Sequence, residues 1–273
     1  MNALIALSAV AGLLTLTPAP LHTSPSDDAP HPGGDQDRCR YEETRSLTVP
    51  VQSGQDLRLD AGSGSLDVVG VAGLTEIRAE ARACASHEDL LDDLDLTWEE
   101  RGSSLLVETH YPDRGWSGWG NRYARLDLTV EVPEGMAAEI RDGSGEMRVR
   151  GVGELVIDDG SGEMEIQDVR GSVRIDDGSG EIDVWDVTGD VEIDDGSGEI
   201  DMEGIGGEVR IADNSGEIDI REVERTVRIL RDGSGSIDVV GVGGDFIVER
   251  DGSGSIDFRD VAGRVDIPRK KRR

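Results

Sequence analysis

Aromatic side chains are scarce in this chain, with Phe, Trp and Tyr making up 3% of 273 residues. That excludes a thick aromatic core and leaves the packing to valine and isoleucine, whose β-branched side chains suit a pleated, half-buried surface. Positive charge is scarce too. The net charge is −30 and the sequence pI is near 4.3, so nearly every face repels a phosphate backbone and nucleic acid is excluded as a partner. The exception is the terminal cluster Arg269-Lys270-Lys271-Arg272-Arg273. It reads as a solvated tail, or one resting on the acidic flank, with an anionic lipid head group or polymer as the alternative contact.

Long apolar runs are absent except for Ala3 to Leu16, which has the length of a signal-peptide h-region and is too short to span a bilayer. Residues 1–22 are therefore expected to be a cleaved secretory signal, with the cleavage site left open. No cysteine follows closely, so no lipoprotein anchor is expected, and no transmembrane segment remains after signal removal. Residues 23–38, rich in Pro, Gly, Ser and Asp, read as a disordered spacer. The two cysteines, Cys39 and Cys84, lack the paired spacing of a zinc site. In an exported chain they read as one disulfide clamping the start of the folded region, the alternative being two free thiols. Histidine is rare: His22, His31, His87 and His110 show no Ser-His-Asp or Cys-His spacing, and no enzyme is expected.

What the chain has is a repeat. Asp-Gly-Ser-Gly begins at Asp142, Asp159, Asp177, Asp195, Asp232 and Asp251, with Asp-Asn-Ser-Gly at Asp213, at intervals of 17, 18, 18, 18, 19 and 19 residues. A fixed short period signals units that bury a core only by stacking. In one unit, Ile182 and Val184 point one way and Asp183 the other, and Val191 and Ile193 do the same around Glu192, as period-two strands require. Val187 and Gly189 mark one bend and Asp-Gly-Ser-Gly the other, where Asp accepts from backbone N–H groups and the first Gly, or Asn214, tolerates positive φ. Aliphatic spacings of 2, 3, 4 and 2 from Ile182 exclude the hexapeptide left-handed helix. The expectation is all-β: a right-handed parallel β-helix, or β-solenoid, of about 18-residue coils rising about 4.8 Å each, over residues 141–268. A β-meander sandwich is the alternative.

Residues 39–140 are less regular and are expected to cap the solenoid. Coiling starts near Gly62-Ser63-Gly64. Ser86 to Asp93 reads as one short helix with Ser86 as its N-cap, and strands are expected at Leu94 to Glu99, Leu105 to His110 and Arg125 to Val132. The repeated D-G-S-G-E-[IM]-x-[VI] unit, the short acidic helix and the strands leading to Val130-Glu131-Val132-Pro133-Glu134-Gly135 resemble the bacterial "putative adhesin" β-strand-repeat family, DUF4097, over about residues 45–267. The resemblance implies an exported or envelope-associated protein and carries no catalytic residues.

Stacking turns positions into ladders. Outward positions of the first strand give Arg148, Glu165, Asp183, Asp201, Asp219, Asp238 and Asp257, beside Glu146, Glu163, Glu181, Glu199 and Glu217; the second strand gives a mixed column that includes Arg174, Glu192 and Arg210. Like charges one strand apart repel by about 1 kcal/mol even at the dielectric of water. The acidic face therefore suits a solvated anti-aggregation surface, a high-salt surface, or a divalent-cation site. The pairs Asp158-Asp159, Asp176-Asp177 and Asp194-Asp195 are the candidate cation ligands, for weak calcium binding without any resident cofactor. Tyr111, Trp116, Trp119 and Tyr123 form the densest aromatic cluster outside the repeats, suited either to stacking on a sugar or protein ligand or to folding over the first coil. The sequence thus points to a non-catalytic surface or envelope interaction module whose ligand is a polysaccharide or protein. A structural or stress-signalling envelope protein and a divalent-cation-binding solenoid are the alternatives.

Overall fold

The computed structural model describes residues 39–111 and 122–268. The signal and spacer assignments, Trp116, Trp119 and the basic tail lie outside the described residues.

The two apolar bursts of each repeat become two strands. Ile182–Val187 buries Ile182, Val184 and Val187, and Val191–Asp195 buries Val191, Ile193 and Asp195. Consecutive strands go to different sheets, each of 11 strands, and each pairs in parallel with its counterpart one coil on: Ile182 with Ile200, Val184 with Met202, Val191 with Val209, Ile193 with Ile211. This parallel stacking is a solenoid and excludes the meander. Between the sheets, Ile182, Ile200, Ile218 and Ile237 form one fully buried file, each side chain adding about 1.5–3 kcal/mol of burial.

The bends close tightly enough to dictate their residues. Gly162 sits at φ +147, and a Cβ there would lie 1.7 Å from the Gly145 carbonyl oxygen one coil back. Positive φ belongs to this second glycine of Asp-Gly-Ser-Gly. The first is selected by space instead: a Cβ on Gly196 would meet the Gly178 oxygen at 2.3 Å, with no positive φ. The expectation for the first position is corrected accordingly.

Coiling begins with Asp56–Asp60 and Leu66–Val71, which stack on Ala138–Asp142 and Met147–Arg150. The intervening chain passes over the opposite side of that first coil. Ser104–His110 and Ala124–Pro133 pair with it in parallel, and Asp95–Arg101, Glu76–Ala85 and Tyr41–Pro50 add antiparallel strands outward. The end of the solenoid is thereby covered. The helix of this cap is shorter than expected, Glu88–Leu91, and its N-cap is His87 without a side-chain cap bond. Ser86 is diverted: its hydroxyl accepts from the Tyr123 amide at 2.8 Å. At the other end, Phe258 in the last long strand, Ile256–Val261, is 40% exposed.

Candidate functional site

The period-two rule that builds the strands also separates the aspartate pairs. Asp158, Asp176 and Asp194 point to solvent, whereas Asp159, Asp177 and Asp195 point inward and are buried. The sequence reading placed both carboxylates of a pair at one bend; the strand continues through the second Asp of each pair and sends the two to opposite sides of the coil wall. Among the described residues, no three His, Cys, Asp or Glu side chains gather as a metal would require.

The inward aspartates form their own column. In-register pairing stacks Asp142 on Asp159, Asp159 on Asp177, Asp177 on Asp195 and Asp195 on Asp213. One carboxyl oxygen turns to the bend, where Asp195 Oδ1 accepts from Ser197 N at 3.2 Å and Asp213 Oδ1 from Ser215 N at 3.0 Å. Burial first, and the adjacent carboxylate second, push Asp142 up to about 7, Asp159 to about 6 and Asp195 to about 7.

The outward columns match their expected register, Glu165 beside Asp183, then Asp201, Asp219, Asp238 and Asp257. Asp183 is pushed up to about 6, by partial burial first and then by Glu181 and Asp201. Arg221 relieves part of the column, lying 3.6 Å from Asp201 and 3.4 Å from Asp219. In the mixed column, Arg174 and Glu192 pair at 2.5 Å.

Tyr111 and Tyr123 are half-buried, and their hydroxyls anchor the chain. The Tyr111 hydroxyl accepts from Ser63 N at 2.9 Å and donates to Ser63 O at 2.8 Å; burial raises its pKa. Arg125 donates to the Tyr123 hydroxyl at 3.2 Å, and Arg122 holds Asp89 at 2.8 Å. Both ends of the segment that carries Trp116 and Trp119 are therefore tied to the cap and first coil. Cys39 and Cys84 are joined as a disulfide with Cα atoms 5.2 Å apart. It fastens the start of the described chain to the cap strand Glu76–Ala85.

One feature escaped the sequence reading. At the second bend, Asp168, Asp186, Glu222 and Asp260 have φ between 55 and 57°, the left-handed region, and the equivalent residues of other coils are Gly151, Gly204 and Gly241. The alternation of Gly with Asp or Glu just before a buried Val or Ile was the available signal. All of these but Asp260 floor a groove of about 1040 Å³ that runs along the coils from Gly70 to Gly241, with Glu134, Arg150 and Arg170 at one end. Arg170 donates to Glu134 there at 2.6 Å. Left-handed backbone costs a non-glycine residue about 1–2 kcal/mol, so each carboxylate on the floor is held against a local preference.

The family model described as Toastrack DUF4097 matches residues 40–226. No curated protein matches the sequence. Among solved structures, a "putative cell adhesion protein" from Clostridium sporogenes is 13% identical, with 82% of this chain and 99% of that one covered and a TM-score of 0.32. A "putative lipid binding protein" from Parabacteroides distasonis is 16% identical, covering 84% and 98%, at a TM-score of 0.42. A "putative adhesin" from Bacteroides fragilis is 14% identical, covering 84% and 98%, at a TM-score of 0.30.

Proposed function

The chain belongs to the Toastrack DUF4097 family, and from that premise we propose that it is an exported, non-catalytic interaction module of the surface or envelope, which holds an extended polysaccharide or protein segment along its second-bend groove. The observation that carries this reading is the floor of that groove, where Asp168, Asp186 and Glu222 occupy left-handed positions that glycine fills in other coils. Backbone strain kept in a concave surface is a pointer to function. Because the floor residues recur once per coil, a polymer would meet several similar shallow contacts in succession, and weak contacts on one stiff face sum by avidity. The disulfide supports an oxidising compartment.

The test has two arms. Protease shaving of intact cells, followed by blotting, reports whether the solenoid lies outside; loss of the intact band without lysis is expected, and full protection inside an envelope fraction overturns the surface placement. Beads carrying the full chain are then offered envelope polysaccharides and surface proteins. The double variant Asp186→Asn/Glu222→Gln, which keeps the side-chain sizes at these left-handed positions, is expected to lose retention at nearly unchanged melting temperature. Equal retention by the variant removes the groove from the account.

A further inference from the structure

The interaction reading leaves the inward aspartates unused, and they are the least ordinary groups in the molecule. Asp177, Asp195, Asp213 and Asp232 are respectively 5%, 1%, 0% and 2% exposed. Asp195 Oδ2 and Asp213 Oδ2 are buried without a donor, their Oδ1 atoms taking the amides of Ser197 and Ser215; Asp177 and Asp232 are buried in the same file, with the bend amides of Gly178 and Ser179, and of Ser234, beside their carboxyls. A buried acceptor with no partner is costly, and a file of buried negative charges is costlier still. Beside those bend amides, what these carboxyls meet is the next carboxyl in register: Asp177 stacks against both Asp159 and Asp195, Asp213 against Asp195, and Asp232 against Asp251. Two carboxylates that share a site cannot both stay ionised. A proton between each facing pair removes the repulsion and supplies the missing donor together.

A metal ion does not fit the column as well. Calcium takes about six to eight oxygens and needs room for them. The groove and the three smaller cavities along the solenoid are not lined by these aspartates. A proton needs no cavity.

We propose that the inward aspartates from Asp142 to Asp232 form a proton ladder, in which carboxyls of adjacent coils share protons near neutral pH, and that release of those protons to water as the pH rises loosens the Asp-Gly-Ser-Gly bends. The ladder has defined ends and one seam. At the first coil, Ala61 occupies the Asp position above Asp142 and donates its amide to Arg141 O at 2.8 Å, so the column stops at an apolar residue. The seam lies between Asp213 and Asp232, where the register shifts after Ile211; the 19-residue coil carries one more residue than its predecessor.

Few charged groups other than the aspartates themselves act on the column. Arg231 faces Asp213 and favours its ionised form. The Tyr111 phenol neighbours Asp142. Asp158, Asp176 and Asp194, on the same strands, face solvent, with Arg231 lying 3.4 Å from Asp194. The sign of the pH effect follows from burial raising these groups above the ordinary 3.8, to about 6 for Asp159 and Asp232 and about 7 for Asp142 and Asp195. A group raised on folding contributes stability that is complete below its unfolded pKa and is lost as pH rises through its folded pKa. The ladder's contribution is therefore complete below about pH 4 and is lost between about pH 4 and 7.

Infrared spectroscopy of the full chain reads the shared protons directly. A protonated-carboxyl C=O band is expected at pH 6.5, with loss of much of it in Asp195→Asn/Asp213→Asn and retention in Asp158→Asn/Asp176→Asn/Asp183→Asn/Asp194→Asn, which changes only outward groups, the raised Asp183 included. The inward variant should also melt with a shallower dependence on pH between about 4 and 7. Absence of the band in the unmodified chain, or a band unchanged by the inward substitutions, overturns the proposal. So does a melting temperature at pH 8 that rises with millimolar calcium while the band is missing, because that outcome puts a cation where protons are assigned. Should the inward variant not fold, the band in the unmodified chain and its response to the outward variant still decide.

Discussion

Asp158 and Asp159 are neighbours in sequence yet lie on opposite sides of the coil wall, the first in solvent and the second 6% exposed. The separation is a consequence of the pleat: successive Cβ atoms alternate faces until the strand ends, and the strand Leu155–Asp159 ends only after the second aspartate. One residue of strand length thus decides whether a doubled Asp is a surface chelate or a surface charge with a buried partner.

Stacked bends should make the second glycine of each motif the least replaceable residue in the chain. At Gly162 an added Cβ meets a backbone oxygen at 1.7 Å, and φ is +147. At Gly73 φ is +78 but nothing lies within 4 Å. Denaturant unfolding is expected to show Gly162→Ala costing more than about 4 kcal/mol, in the range reserved for severe backbone conflict, against about 1–2 kcal/mol for Gly73→Ala from φ alone. Equal costs at the two sites would mean that the coils spread apart more easily than their spacing implies.

Relief of strain should have the opposite sign at the second bend. Glu222 holds φ 55 and Asp186 holds φ 56, but Asp tolerates the left-handed region better because its short side chain bonds locally. Glu222→Gly is expected to raise the unfolding free energy, by up to about 1 kcal/mol after the entropy glycine adds to the unfolded chain, and with it the melting temperature. Asp186→Gly should be nearer neutral. A loss of stability at Glu222 would show that its side chain makes contacts that outweigh the backbone term.

The disulfide closes a loop of 45 residues between Cys39 and Cys84. Loop-closure entropy for that length gives about 4 kcal/mol, and measured values for native bridges run at about 2–5 kcal/mol. Cys39→Ser/Cys84→Ser is therefore expected to lower the unfolding free energy by about 3 kcal/mol, with the loss confined to the cap. Hydrogen exchange separates the regions: amides of Tyr41–Pro50 and Glu76–Ala85 should exchange faster while those of Ile200–Ile205 keep their protection.

The coil itself was legible because two independent periods agree, alternation within a strand and a recurrence of about 18 residues between strands. Ile182, Val184 and Val187 on one side and Asp183 on the other needed no further information. The errors arose where a local motif was read without its neighbours. Positive φ was assigned to the first glycine of Asp-Gly-Ser-Gly because Asn214 replaces it once, but the requirement there comes from the coil beneath, as Gly196 shows. Ser86 looked like a helix cap, but the Tyr123 amide, 37 residues away, competes for its hydroxyl. Both competitors are contacts of stacking and tertiary packing, invisible at short range. The left-handed file through Asp186 and Glu222 had a readable mark, Gly at the same position in Gly151, Gly204 and Gly241, which only alignment of the coils brings out.

Calcium is the remaining question that the charge pattern raises, and the split pairs set the expectation for it. Each outward member, Asp158, Asp176 or Asp194, offers one carboxylate per coil, and its sequence partner has turned inside. A cation at the surface would then meet two carboxylates from adjacent coils and fill the rest of its shell with water, well short of the about six to eight oxygens of a protein calcium cage. Calorimetric titration of the full chain is expected to show no saturable heat at millimolar calcium, only the small unsaturating heat of charge screening. A saturable transition with a stoichiometry near one ion per pair of coils would contradict this. Asp158→Asn/Asp176→Asn/Asp194→Asn would then locate the ion: abolition of the transition puts it on the outward file, and persistence moves it to the neighbouring column of Glu163, Glu181 and Glu199, where Asp183 and Asp201 could complete a shell.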